Sequence, residues 1–151
     1  MVYELVMEQR LPAPIDRVFA FFERPENLEA ITPGFLRFHI TTRGPIVMEA
    51  GATIEYRMRL HGVPIRWRTR IAEYDPPRRF VDVQTHGPYR MWEHEHTFEP
   101  VSGGETLMRD RVRYELPRGP GRALVHRWLV RPDLERIFEY RRREIDRLIR
   151  G

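Results

Sequence analysis

Along the first two thirds of the chain, apolar and polar residues alternate with a period of two; the last third has the spacing of a helix. Tyr3 to Leu11 alternates as a β-strand, and Pro12-Ala13-Pro14 stops it, since proline fixes φ and brings no donor to a ladder. The segment IDRVFAFFERPENLEAI reads as two short helices broken at Pro25. Beyond Thr32-Pro33-Gly34, strand patterns follow over Phe35 to Thr42, Ala52 to Leu60, Ile65 to Tyr74, Phe80 to Thr85, Tyr89 to Phe98 and Thr106 to Leu116. Glycine- and proline-rich turn signals separate them, so most are joined as hairpins. After Pro117, Leu124, Trp128, Leu134, Phe138, Arg141, Ile145 and Leu148 form an apolar stripe, widened by Ile137 and Ile149. Pro132 should kink or restart this helix, with Asp133 placed for the positive N-terminal end of its second part. The order predicts an α+β domain over residues 1–151: a seven-stranded antiparallel sheet whose inner face can be covered only by the long C-terminal helix.

One strand pair breaks the usual separation of polar and apolar faces. In FVDVQTHGPYRMWEHEHTF, residues 80–98, alternation puts Asp82, Gln84, Trp92, His94, His96 and Phe98 on one sheet face. Such a face is either a satisfied buried polar network or the wall of a cavity that holds something. A hairpin through Gly103 sets His96 opposite Asp110, Phe98 opposite Met108 and Trp92 opposite Tyr114, and the Gly87-Pro88 turn sets Asp82 opposite His94 and Gln84 opposite Trp92. Each histidine then has its own carboxylate, His96 with Asp110 and His94 with Asp82. Trp67, Thr69 and Ile71, and likewise Ile54, Tyr56 and Met58, alternate in phase with this face, while Phe138 and Arg141 of the long helix lie over it.

Composition removes several chemistries. There is no cysteine, every one of the 26 basic residues is arginine, and the single serine, Ser102, lies in a turn. Thiolate, Schiff-base and Ser–His–Asp chemistry are thereby excluded, leaving His, carboxylate, Tyr and Arg. No signal peptide and no run long enough to span a membrane is present, so the expectation is a cytoplasmic protein without stable membrane insertion. The net charge of +4 comes from interspersed acids and bases without a nucleic-acid motif, so no nucleic-acid partner is expected. His94 and His96 with Asp82 or Asp110 could share a metal, but each imidazole has an acid partner, and neither a metal nor another cofactor is expected.

The element order, together with FVDVQTHGPYRMWEHEHTF, TLMRDRVRYELPRGPGR and LVRPDLERIFEYR, resembles the helix-grip superfamily of START domains, Bet v 1-like allergens and polyketide aromatase/cyclases. More narrowly, the chain is similar to bacterial SRPBCC, or cyclase/dehydrase-like, proteins. The resemblance implies a cavity between sheet and helix that holds a small hydrophobic molecule. Three readings of function follow. In the first, a hydrophobic, ring-containing, polyketide- or lipid-like ligand is bound by Trp67, Trp92, Tyr114 and Phe138 and oriented by Asp82, Gln84, His94, His96, Asp110 and Arg141. In the second, His96 and Asp110 act as the acid–base pair of an aromatase/cyclase or dehydratase. In the third, the chain is an accessory domain acting through arginines. On the outer face, Arg109, Arg111 and Arg113 should find acids in Glu93, Glu95, Glu4 and Glu8, whereas a hairpin through Gly62-Val63 sets Arg57 opposite Arg68 and Arg59 opposite Arg66. These four arginines, unrelieved, would suit an acidic protein partner.

Overall fold

Short turns return each strand beside its predecessor, and the resulting sheet curls around one long helix. The computed structural model describes all residues, 1–151. Strand β1 (Tyr3–Leu11) is followed by α1 (Ile15–Phe22), α2 (Asn27–Ala30) and a 3₁₀ turn (Gly34–Leu36). The remaining strands are β2 (His39–Ile40), β3 (Thr53–Leu60), β4 (Val63–Asp75), β5 (Arg79–His86), β6 (Met91–Val101) and β7 (Glu105–Glu115). Their order in the sheet is β1-β7-β6-β5-β4-β3-β2, with every neighbouring pair antiparallel. The chain ends in α3 (Arg122–Val125), a π-helical segment (His126–Val130) and α4 (Arg131–Arg150). This is the seven-stranded helix-grip architecture.

Three local expectations are corrected. The strand expected over Phe35 to Thr42 shrinks to His39–Ile40, because a 3₁₀ turn occupies its start and Arg37 then takes a left-handed φ of 48° that ends any extended run. The β3–β4 turn is His61-Gly62 rather than Gly62-Val63. Both residues have positive φ, 49° and 79°, the conformation of a two-residue turn whose twist matches the strands. Arg57 therefore faces Arg66, and Arg68 faces Glu55 with an ion pair at 3.1 Å. Only one like-charge pair remains, and Arg59 faces Pro64. On the far outer face Arg109, Arg111 and Arg113 do meet Glu8, Glu4 and Glu93.

The third correction is in the helix. Its second part buries Leu134, Phe138, Arg141, Ile145 and Ile149, but Leu124 and Trp128 are exposed. Pro132 is the second residue of α4, and the helical run enters it directly from the π-helical segment, so the ladder bond that proline cannot make falls at that irregularity. Trp128 and Leu134 are six residues apart, about one and two-thirds turns at 3.6 residues per turn, so one straight stripe cannot hold both.

The core has two apolar parts. One gathers α1 and the lower sheet around Phe19, Phe80, Phe98 and Met108, with Ile145 and Ile149 from α4. The other groups Leu5, Trp67, Trp92, Val112 and Tyr114 under Leu134 and Phe138. Between them lies the polar lane of β5, β6 and β7.

Candidate functional site

Alternation along β6 turns both His94 and His96 inward, and both are buried. The register is as expected: His96 lies opposite Asp110, and Asp82 opposite His94. The hydrogen bonds, however, run diagonally. His94 Nε2 meets Asp110 Oδ1 at 2.8 Å, and His96 Nε2 meets Asp82 Oδ2 at 2.7 Å. The partners expected from register are thus exchanged. The rings explain the exchange: His96 is sandwiched between Phe80, stacked at 4.0 Å between centroids, and His94 at 3.7 Å. Held face to face, the imidazoles lean along the strands and reach the carboxylate two residues away, a neighbour still within range of a long side chain. His96 Nδ1 comes within 3.3 Å of Asp110 Oδ1 without hydrogen-bond geometry.

Electrostatics separates the two histidines. Burial and the neighbouring His96 push the His94 imidazole below its ordinary pKa, outweighing its bond to Asp110. Burial acts on His96 in the same sense, but its two carboxylates outweigh it and raise its pKa. Burial would raise both aspartates; Arg141 and the imidazoles reverse this and hold Asp110 well below the usual carboxylate range, with Asp82 also lowered by His96, His94 and Arg141. An NMR pH titration of the two imidazoles should therefore show His96 protonating above, and His94 below, the ordinary histidine value of about 6.5. Superimposable curves would contradict this assignment.

A cavity of about 340 Å³ lies between the sheet and α4, and 21 of its 32 lining residues are hydrophobic. Of the candidates, Trp67, Asp82, Trp92, His94, His96, Phe138 and Arg141 line it. Three others do not. Gln84 closes the β5–β6 turn instead: its amide donates to the Tyr89 carbonyl at 2.7 Å and accepts from the Tyr89 N–H at 3.1 Å. Strand pairing between β5 and β6 ends at Val83 opposite Glu93, so Gln84 never faces Trp92 as a ladder pair. Tyr114 is fully buried, with its hydroxyl 2.7 Å from His126 Nε2 and its ring against Tyr3. Asp110 sits behind the histidines, facing Arg141. The Trp67 indole is fixed by donating to Thr69 Oγ1 at 3.1 Å and meets Trp92 edge to face at 5.2 Å.

Sequence reasoning missed the other side of the cavity. Phe21 and Phe22 of α1, Leu28 of α2 and Ile31 just beyond it close it, and the Phe21-Phe22 doublet beside a proline-broken helix was the available signal. It also missed the link between the β3–β4 turn and the start of α4, where His61 Nε2 lies 2.7 Å from Asp133 Oδ2, both at the cavity wall. Asp82, His94 and His96 offer ligand atoms within 4.8 Å of one another.

The polyketide cyclase/dehydrase and lipid transport family has a sequence profile that matches residues 3–145. The chain belongs to this family. Several solved structures share the fold of this family member. The ZhuI aromatase/cyclase from Streptomyces sp. R1128 superposes with a TM-score of 0.80 at 14% identity, covering 99% of this chain and 94% of that one. A protein from Thermus thermophilus gives 0.72 at 21% identity, with 97% of each chain covered. A norcoclaurine synthase mutant from Thalictrum flavum, in complex with a transition-state analogue, gives 0.70 at 12% identity, covering 99% and 94%. At these identities the likeness is one of fold. No curated protein matches the chain. No helix of this family member is long and apolar enough to cross a membrane.

Proposed function

We propose that this cyclase/dehydrase-family protein binds a small hydrophobic, ring-containing molecule between its sheet and α4. The supporting observation is the cavity itself: at about 340 Å³ it reaches the size of small-molecule sites, about 300–1,000 Å³. Its lining is mostly apolar and rich in aromatic side chains, with Asp82, His94, His96 and Arg141 together at the polar lane. Apolar surface leaving water drives entry, while the two tryptophans supply flat faces for a ring. Mild purification followed by solvent extraction and mass spectrometry should recover a hydrophobic compound, and adding it back should change tryptophan fluorescence. Trp92→Ala should weaken binding by about 1–3 kcal/mol. No extracted compound, and no thermal shift across a panel of aromatic and lipid compounds, would overturn the reading.

The second reading, acid–base catalysis, is supported by the bond between His96 and Asp82 at the cavity wall. A carboxylate that fixes an imidazole whose pKa is raised suits proton donation in a cyclisation or dehydration. The proton donor would be His96, with Asp82 as its orienting carboxylate and Asp110 holding His94 behind it. His96→Ala should then keep the ligand bound but lose its conversion, whereas in a pure binder the same change alters affinity alone.

A further inference from the structure

Arg141 is a buried cation with two donors to spare. It projects from α4 into the cavity wall, 8% exposed, with its guanidinium 5.7 Å from the Phe22 ring and 5.8 Å from Phe138. Its Nε and Nη2 have no hydrogen-bond partner. Buried polar groups are nearly always paired, so two open donors on one guanidinium are unusual. The nearest carboxylate does not close them: Asp110 Oδ1 is 3.7 Å from Nη2 and already meets His94 at 2.8 Å. Asp82 is committed to His96.

Nε–H and one Nη2–H point the same way from one edge of a guanidinium, and that edge fits the two oxygens of a carboxylate. We infer that Arg141 anchors the carboxylate of an amphipathic monoacid, a ligand with an apolar ring or chain body and one acidic end. This rests on the cavity being a ligand site and names the class of ligand. The body would lie along Trp67, Trp92 and Phe138, with the acid at the polar lane. A phosphate fits poorly, because Asp82 and Asp110 stand close by and would repel a second negative charge.

Charge bookkeeping adds a signature. Around Arg141 stand Tyr56 of β3, Asp82 of β5, His94 and His96 of β6 and Asp110 of β7. With His96 protonated, two carboxylates balance two cations, and a bound carboxylate adds one buried negative charge. His94 is the neutral group placed to take up a proton in response. Affinity for an acid should therefore rise as pH falls, approaching about tenfold per pH unit if one full proton is taken up. An uncharged analogue should show no such slope.

Two matched pairs test this by fluorescence titration: 2-naphthoic acid against 2-naphthylmethanol, and dodecanoic acid against dodecanol. In the wild-type protein each acid should bind at least about tenfold tighter than its alcohol, as expected for a charge-assisted bidentate contact. Arg141→Gln should erase that preference, the acids losing at least about tenfold more affinity than their alcohols, and Arg141→Lys, which keeps the charge but not the planar edge, should retain only part of it. A purely structural Arg141 would not distinguish acid from alcohol. Alcohols that bind as well as their acids would overturn the anchor and leave the cavity reading standing. If neither member of either pair binds, the anchor falls, and the extraction and thermal-shift experiments decide the cavity reading separately. The wild-type comparison decides the matter even if a variant fails to fold.

Discussion

Asp110→Ala should destabilise the fold by about 3–5 kcal/mol, the usual cost of removing one partner from a buried charged set. The cost arises because Arg141 and His94 would stay buried without the carboxylate that faces them. Urea unfolding measures it as a lower midpoint at an unchanged slope. The pH dependence has a definite sign. The folded-state pKa of Asp110 is depressed, so its contribution is present above the unfolded value, about 3.9, and is lost as pH falls through the folded value. The gap between wild type and variant should therefore narrow in acid. Asp110→Asn, which keeps an acceptor for His94, should cost less. Equal midpoints for wild type and Asp110→Ala at neutral pH would show that the lane does not depend on this charge.

Phe19→Ala should cost a similar amount, about 3–5 kcal/mol for a fully buried phenylalanine. Phe19 is 1% exposed and meets Phe98 and Phe80 edge-on at 5.2 and 6.0 Å, with Tyr74 at 5.9 Å. Its loss should also reach the site, because Phe80 is the ring stacked on His96. Calorimetry should show the lower melting temperature, and the His96 imidazole resonances should shift in the same variant. A variant that melts within a degree or two of wild type would mean that the neighbouring aromatics collapse into the gap.

The sheet was legible where alternation and a tight turn act together. The Gly103 hairpin has the expected register residue for residue, since slipping it would have turned the whole buried set of β6 and β7 outward. The β3–β4 hairpin has arginines and other polar groups on its exposed face, so its pattern constrained the register weakly and the turn residues decided it. The inward face of the histidines was legible for the same reason as the sheet. Their partners were not, because a hydrogen bond depends on side-chain lean, and that lean is set by Phe80 stacking on His96. Gln84 and Tyr114 share the face of the site residues, yet one is drawn into its own turn and the other under Tyr3 and His126. Period-2 alternation fixes which side a residue takes but leaves open how far along the strand the cavity extends. The exposed Trp128 lies in the π-helical segment before Pro132, and its six-residue separation from Leu134 already disagreed with a single stripe.

The edges of the sheet bear on how this protein behaves at high concentration. A bare strand edge is a template for another chain. On one side, the β1 edge is tied to the helix: Arg131 donates to the Glu4 carbonyl at 3.0 Å, and Gln9 donates to the Arg142 carbonyl at 2.7 Å. Exposed Glu4 and Glu8 stand on the same strand. On the other side, β2 is two residues long and leaves most of β3 without an outer neighbour. That uncovered stretch carries exposed Arg59, and exposed Arg57 stands beside it at the end of the β2 pairing, opposite His39. A positive charge on the open stretch, with a second beside it, repels a second copy approaching in register, so arginines that look like a docking patch also serve as gatekeepers against aggregation.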